Sequence, residues 1–182
     1  MTKKVNPQVD LMIIINTFVP CLFAFKYADD LPDELERVFD EWEDPQFLND
    51  FFEEHESGIS ITIEEAIEKA RSEAIFLRNK LVALAQANPN ELNLLFKNLN
   101  NNEYTAKELS QQKARNRWLR LYAIKIDENN YVITGGAIKL DNQHYMKDYP
   151  HTNTELMKIN KCRDYLKEQG VYDADSFQEI FF

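Results

Sequence analysis

The stretch "ARNRWLRLYAIKIDENNYVITGGAIKL", residues 114–140, decides the fold because it predicts a pair of neighbouring strands. Its apolar and aromatic residues fall into two runs, 118–126 and 131–140, and the polar turn DENN at 127–130 joins them. This arrangement is typical of a β-hairpin. The pair Gly135–Gly136 inside the second run indicates either a β-bulge or the close approach of another backbone.

Segments with helical periodicity lie on both sides of this predicted hairpin. The strongest is 61–89, where Thr62 and Glu65 form a capping box and apolar residues recur at helical spacing. A second capping box, Thr105 with Glu108, predicts a helix over the following AKELSQQKAR. Shorter helices are predicted at three further places: 29–45, 46–58 and 90–102.

The two ends of the chain add a strand and a helix to this pattern. A strand is predicted at 21–27, while residues 10–19 fit a helix or a strand equally well. Near the other end, a capping box of Thr152 and Glu155 predicts the start of a helix, and Gly170 predicts its end.

The order of these elements is a strand, several helices, a hairpin and a last helix, which indicates an α+β fold. We expect a small antiparallel sheet packed with helices, with a helix-rich N-terminal half and a C-terminal helix. No Gly-, Ser- or Pro-rich linker separates the two halves, so we expect one domain over 1–182. Within it, 29–105 would form a helical, acidic insertion or extension.

Charge is distributed unevenly along a chain whose formal net charge is −10. Residues 29–56 contain thirteen acidic residues and one basic residue, Arg37, whereas residues 111–170 contain eleven Lys and Arg against seven Asp and Glu. The overall charge argues against a general affinity for nucleic acid. The asymmetry nevertheless allows a locally basic face on the C-terminal half, where three arginines lie at the start of the hairpin.

Several classes of protein are excluded by what the sequence lacks. It contains no GxSxG, P-loop or Rossmann glycine motif, and its two cysteines and three histidines show no metal-ligand spacing. We therefore expect neither a cofactor nor a metal ion. The longest apolar run, 11–25, is interrupted by Asn16, Thr17 and Pro20 and is followed by no cleavage site, so we expect a cytoplasmic protein without a membrane partner.

The hairpin segment "RWLRLYAIKIDENNYVITGGAIK" resembles the RelE/ParE/HigB superfamily of toxins from toxin–antitoxin modules. The shared features are an arginine before an aromatic residue, a turn, an apolar strand and a lysine at its end, which correspond here to Arg120, Tyr122 and Lys139. The following "HYMKDYPHTNTELMKINKCRDYL" resembles the closing loop and helix of the superfamily. The resemblance covers 114–168, extends to 21–105 by element order, and implies a RelE-like α+β fold.

This resemblance also implies an activity and partners. RelE-like toxins are mRNA endoribonucleases, often acting inside the ribosomal A site, and an antitoxin protein neutralises them. The RNA's own 2′-hydroxyl attacks the phosphodiester. The protein must help to deprotonate that hydroxyl, stabilise the charge that develops on phosphorus and protonate the leaving 5′-oxygen.

Candidate catalytic residues lie in the segments that carry the resemblance. Arg117 and Arg120 are candidates for binding the scissile phosphate, since a guanidinium group binds two phosphate oxygens at once. Lys139 would neutralise the charge that develops there. The acid–base and base-stacking candidates all come from the segment after the hairpin: His144 or His151 as acid or base, and Tyr145 or Tyr149 for stacking or proton donation.

Two other hypotheses stay open beside the endoribonuclease. One is a protein-binding module on the same fold, as in the gyrase-inhibiting ParE-like relatives, and the other is an interaction protein whose acidic helices bind a basic partner. An endoribonuclease would need Arg120 exposed on an uncovered sheet face. A binding module would need an exposed apolar patch, for which Phe51, Phe52 and residues 181–182 are candidates.

The ends of the chain and its charge raise two related questions. The apolar ending DSFQEIFF would dock either into the core or onto a second subunit, which would make the protein a homodimer. The charge asymmetry leads to the hypothesis that the acidic segment 29–56 folds over the basic hairpin and blocks it.

Overall fold

The computed structural model describes residues 12–99, 109–141 and 149–180, in which a six-stranded sheet is combined with six α-helices. The strands are β1 (Ile13–Asn16), β2 (Leu22–Lys26), β3 (Phe96–Asn98), β4 (Ser110–Asn116), β5 (Leu119–Lys125) and β6 (Tyr131–Ile138). The helices are α1 (Glu34–Glu43), α2 (Pro45–Glu54), α3 (Ile63–Ala87), α4 (Leu92–Leu95), α5 (Pro150–Glu168) and α6 (Ala174–Glu179).

The sheet is mixed, with the strand order β1-β2-β6-β5-β4-β3. Strands β3 to β6 are joined by antiparallel pairing, and β1 is antiparallel to β2, but β2 runs parallel to β6. After β2 the chain crosses to β3, which is the strand at the opposite edge of the sheet. Helices α1 to α3 lie in this connection. The predicted α+β class is confirmed, and the sheet, which was expected to be antiparallel, contains one parallel pair, β2 with β6.

Two helical layers cover the two faces of the sheet. On one face, α1 to α4 pack against inward-pointing strand residues such as Leu121 and Ile133. On the other face, α5 and α6 pack against Phe25, Ile124 and Val132. Successive side chains of a strand point to opposite faces, so each central strand contributes to both hydrophobic cores.

Several local predictions are confirmed. The hairpin of β5 and β6 lies where the two apolar runs indicated. Helix α3 begins after Thr62, whose backbone N–H donates to Glu65 Oε2 at 2.9 Å while its hydroxyl accepts from the Glu65 N–H at 3.2 Å. Helix α5 is followed by Gly170 at φ +77°, and the N–H of Val171 donates to the Leu166 carbonyl at 3.0 Å, which is a Schellman ending.

Other local predictions are wrong, two of them because pairing between strands overrides helical propensity. Residues 110–116, for which a capping box predicted a helix, form β4 between β3 and β5. The helix predicted at 90–102 is limited to α4, and the chain continues directly into β3. Helix α5 begins at Pro150 with Tyr149 as N-cap, and Thr152 is buried within its first turn.

A bulge lies directly before the glycine pair, and the glycines themselves permit close packing. Tyr122 pairs with Gly135 and Ala123 pairs with Ile133, so Thr134 is an extra residue in β6. A Cβ on Gly136 would lie 2.8 Å from Val38 Cγ1 of α1, and one on Gly135 would lie 1.9 Å from Glu155 Oε2 of α5. The two helices therefore approach β6 closely from opposite faces.

In the described ranges, none of the helices has both the length and the apolar character that crossing a membrane would require.

Candidate functional site

The register of the central strands brings basic side chains together on one face of the sheet. Lys113 pairs with Tyr122, and Arg115 pairs with Arg120, so these side chains project from the α5 side of the sheet. Arg120 also pairs with Ala137, and the alternation that continues from Ala137 puts Lys139 on the same side. We call the four residues Lys113, Arg115, Arg120 and Lys139 the basic cluster.

The cations of the basic cluster repel one another. Burial and then the neighbouring positive charges lower the pKa of Lys113, of Lys139 and of Arg120. In the described part of the chain, no ion pair joins Lys113, Arg115 or Arg120 to a carboxylate. The sheet thus holds a concentration of positive charge within a protein that is strongly acidic overall.

Arg115 and Arg120 have different surroundings although they are cross-strand partners. Arg115 is exposed, whereas Arg120 is only 8% exposed. One nitrogen of the Arg120 guanidinium donates to the carbonyls of Arg117 and Leu119, the latter at 3.0 Å, so this side chain is held at the turn between β4 and β5. Arg120 therefore lacks the exposure that the endoribonuclease hypothesis expected, and Arg115, which that hypothesis did not select, is the exposed arginine of the basic cluster.

Arg117 lies in the same turn but belongs to the opposite side of the sheet. Its backbone is left-handed, with φ +53°, and its side chain is exposed beside α3. The structure consequently separates Arg117 from the basic cluster, to which Arg120 and Lys139 both belong. Asn116, also on this turn, donates its side-chain N–H to the Glu73 carbonyl at 2.9 Å and ties the turn to α3.

His151 packs against α2 at the start of α5. Its Nε2–H donates to the Ile138 carbonyl at 2.8 Å, and its ring lies edge-on to Phe51 with the centroids 5.3 Å apart. The ring of His55 is 4.9 Å away. Burial is the main cause that lowers the pKa of His151, and the nearby His55 lowers it further. Of the other candidates, His144 and Tyr145 lie outside the described residues.

A pocket of about 370 Å³ lies between α3 and the turn that joins β4 to β5. Its central residue is Glu73, which is 5% exposed and which sequence reasoning missed. The sequence does contain an indication that Glu73 is buried, because this residue falls within the apolar stripe of α3, between Ala70 and Leu77. We call this cavity the Glu73 pocket, and it is lined by Lys69, Ser72, Glu73, Phe76, Asn116 and Arg117.

The expected apolar patch is not formed by the residues proposed for it. Phe52 is fully buried and Phe51 packs against the core and His55, while 181–182 lie outside the described residues. The acidic segment 29–56 forms α1 and α2, which pack on the sheet face opposite the basic cluster. The hypothesis that this segment covers the basic hairpin residues is therefore wrong.

Comparisons with known proteins identify no relative: the chain matches no family model, and no curated protein or solved structure matches it at a significant level. In the described part of the chain, no group of three or more His, Cys, Asp or Glu side chains is arranged to hold a metal ion. The geometry of the basic cluster and of the Glu73 pocket therefore carries the functional argument.

Proposed function

We propose that this protein is a RelE-like toxin that binds mRNA through the basic cluster and cleaves it as an endoribonuclease. The observation that carries the proposal is the group of like charges on one sheet face, three of which have no carboxylate partner in the described residues. A phosphodiester backbone supplies regularly spaced negative charge and would relieve this repulsion. The hairpin of β5 and β6 followed by helix α5, which is the part of the element order that the resemblance covers, also supports the proposal.

Each member of the basic cluster has a distinct role in this proposal. Arg115 is exposed and would bind phosphate oxygens in pairs, while Lys113 and Lys139, both half-buried, would contribute point charges beside it. Arg120 would act from its buried position. Its guanidinium donates to carbonyls of the β4–β5 turn and adds positive charge close to the phosphate. This division explains how a buried arginine can contribute to phosphate binding without touching solvent.

Cleavage would use the RNA's own 2′-hydroxyl, as the resemblance implies. The proton transfers would fall to His144 and Tyr145, which follow Lys139 closely in the sequence. His151 is a weaker candidate because its Nε2–H is already donated to the Ile138 carbonyl and burial lowers its pKa. An antitoxin would neutralise the protein by covering the basic cluster with carboxylates, and the ribosome would present the mRNA.

A second candidate function is a non-catalytic binding module on the same fold. The observation that favours it is that two acid–base groups near the basic cluster, Tyr122 and His151, are buried or already hydrogen-bonded. Tyr122 is 1% exposed with its pKa raised by burial, and His151 is engaged with a backbone carbonyl. In this alternative, the basic cluster would bind an acidic segment of a partner protein rather than RNA.

RNA binding separates the two candidates. A labelled single-stranded RNA would be titrated with wild type, with Arg115→Ala and with Lys80→Ala, and fluorescence anisotropy would be followed from 50 to 200 mM salt. Lys80 is an exposed lysine on α3 and serves as the matched control. We expect Arg115→Ala to weaken binding about tenfold and to reduce the salt dependence by about 0.7 in the log–log slope, because one phosphate contact is lost. Lys80→Ala should behave as wild type.

Cleavage would then be measured on the same RNA with and without ribosomes, and in growing cells by mapping transcript ends after induction. Binding with cleavage that Arg115→Ala abolishes would establish the endoribonuclease. Binding without any cleavage in either setting would leave the binding module as the function. If wild type does not bind RNA, or if Arg115→Ala and Lys80→Ala bind equally well, the basic cluster is not an RNA site.

A further inference from the structure

The Glu73 pocket contains a buried carboxylate that is only partly satisfied. Oε2 of Glu73 accepts the backbone N–H of Trp118 at 3.3 Å. Oε1 is buried and accepts no hydrogen bond from any described residue. Burial raises the pKa of Glu73, which reflects the cost of a carboxylate that has given up water without gaining a full set of donors. Oε1 has almost no accessible surface, so a ligand with N–H groups would supply the missing donor once the Glu73 side chain turns Oε1 toward the pocket.

Two cations flank this carboxylate and give the pocket a net positive charge. Lys69 lies with Nζ 3.6 Å from the centroid of the Trp118 ring, and Arg117 is exposed at the pocket mouth. Both act electrostatically on Glu73, yet in the described residues neither comes within ion-pair distance of a carboxylate. A ligand for this pocket is therefore expected to carry an anionic group as well as hydrogen-bond donors.

The rim of the pocket adds an aromatic surface. Phe76 is 59% exposed, although a phenylalanine on a packed helix would normally turn toward the core. Aromatic side chains exposed at a cavity form stacking platforms for planar ligands. The opposite wall is rigid, since Asn116 is hydrogen-bonded to the α3 backbone, and the volume falls in the range of roughly 300–1,000 Å³ that is usual for small-molecule sites.

We propose that the Glu73 pocket binds a guanosine monophosphate group, either free or as an unstacked residue of an RNA. The guanine ring would stack on Phe76, its N1–H and exocyclic amino group would donate to the Glu73 carboxylate, and the phosphate would bind Lys69 and Arg117. Guanine is favoured because it alone among the RNA bases presents two adjacent donors on its pairing edge. Adenine, cytosine and uracil set an acceptor beside the donor, which a carboxylate repels.

The proposal depends on the pocket and not on the basic cluster, which lies on the other face of the sheet. It is tested by calorimetric titration of the full chain with GMP, AMP, UMP and inorganic phosphate. We expect GMP to bind at least about tenfold more tightly than the other three, because one well-formed pair of hydrogen bonds is worth that much discrimination. Glu73→Gln should remove this preference, and Phe76→Ala should weaken GMP about fivefold or more.

Matched controls keep the test specific to the pocket. Glu68→Gln changes an exposed glutamate of the same helix and should leave GMP binding unchanged. Arg115→Ala should also leave it unchanged, so a failure of the proposed RNA site and a failure of this pocket are distinguishable. Phe76 is solvent-exposed, and its replacement by alanine should not disturb folding, so the test does not depend on Glu73→Gln alone.

The two sources of the ligand are separated by a second titration with the oligonucleotides AAGAA and AAAAA. A preference for the guanosine-containing RNA that Glu73→Gln abolishes, without measurable binding of free GMP, would assign the pocket to RNA. Equal affinity for all nucleotides and phosphate would reduce it to a general anion site and overturn the proposal. So would the absence of any guanine preference, free or in RNA, or a preference that Glu73→Gln and Phe76→Ala leave intact.

Discussion

Replacing Gly135 by alanine tests how closely β6 and α5 fit together. The added Cβ would lie 1.9 Å from Oε2 of Glu155, and 3.0 Å from both Cδ of Glu155 and Nζ of Lys158. Gly135 does not have a positive φ, so the backbone itself accepts alanine and the cost comes from this collision. The carboxylate cannot remain where it is, because real Cβ atoms do not come within 3.0 Å of such neighbours.

The size of the effect follows from what Glu155 must give up. Its Oε1 lies 3.3 Å from Nζ of Lys158 and 3.8 Å from Arg37, and the residue is 8% exposed. Overpacking costs about 1–3 kcal/mol. Weakening the largely buried ion pair of Glu155 with Lys158 adds about 1–2 kcal/mol, a reduced value because Lys158 keeps a second carboxylate partner. That partner is Glu34, at 2.7 Å. The lower chain entropy of unfolded alanine offsets about 0.5–1 kcal/mol, so we expect a net loss of about 1–4.5 kcal/mol.

Urea unfolding followed by far-UV circular dichroism would measure this loss. In a Glu155→Ala background, where the obstructing carboxylate is gone, Gly135→Ala should cost less than about 1 kcal/mol. Gly170→Ala is the control for backbone strain alone, because Gly170 has φ +77° and no atom lies within 4 Å of an added Cβ. This substitution should cost about 1–2 kcal/mol. A neutral Gly135→Ala, or an equal cost with and without Glu155, would refute this account.

Three further predictions concern packing, capping and pH. Leu77→Ala removes a fully buried side chain and should lower the free energy of unfolding by about 2–4 kcal/mol, whereas the exposed Leu94→Ala should change it by less than about 0.5 kcal/mol; urea titration compares them. Thr62→Ala removes the N-cap of α3 and should cost about 1 kcal/mol in the same titration. Burial lowers the pKa of His151 below 6.5, so as the pH falls the unfolded chain is protonated at this residue before the folded chain is. The free energy of unfolding should therefore decrease as pH drops through and below 6.5. Unfolding titrations between pH 7.5 and 5.5 should show this fall reduced in His151→Gln, and an unchanged slope would contradict it.

Local patterns were sufficient where neighbouring residues determine the structure. The hairpin of β5 and β6 was predictable because its two apolar runs and its turn are adjacent in the chain. The capping box at Thr62 and the left-handed Gly170 were predictable because both involve hydrogen bonds between residues a few positions apart. The same kind of local signal failed for β4, whose backbone groups pair instead with β3 and β5.

Pairing between distant segments set the arrangement of the sheet. Leu22 of β2 pairs in parallel with Tyr131 of β6, and no local pattern in either segment specifies that partner. The glycine pair was predicted to mark a bulge or the close approach of another backbone. The bulge lies at the adjacent Thr134, and the two glycines make room for side chains of α1 and α5 on opposite sides of β6. Close packing depends on side chains that are far apart in sequence, so local patterns do not contain it.

The candidate sites divide in the same way. The sequence by itself determined that arginines concentrate at the start of the hairpin and that Arg120 and Lys139 belong to one strand pair. Only the tertiary structure decided that Arg120 is held by the carbonyls of a turn, that Arg115 is the exposed arginine of the basic cluster, and that Glu73 of α3 and Arg117 line one pocket. Charge and residue type are properties of the chain, whereas burial, hydrogen-bond partners and the cavity between α3 and the hairpin arise when distant segments pack against each other.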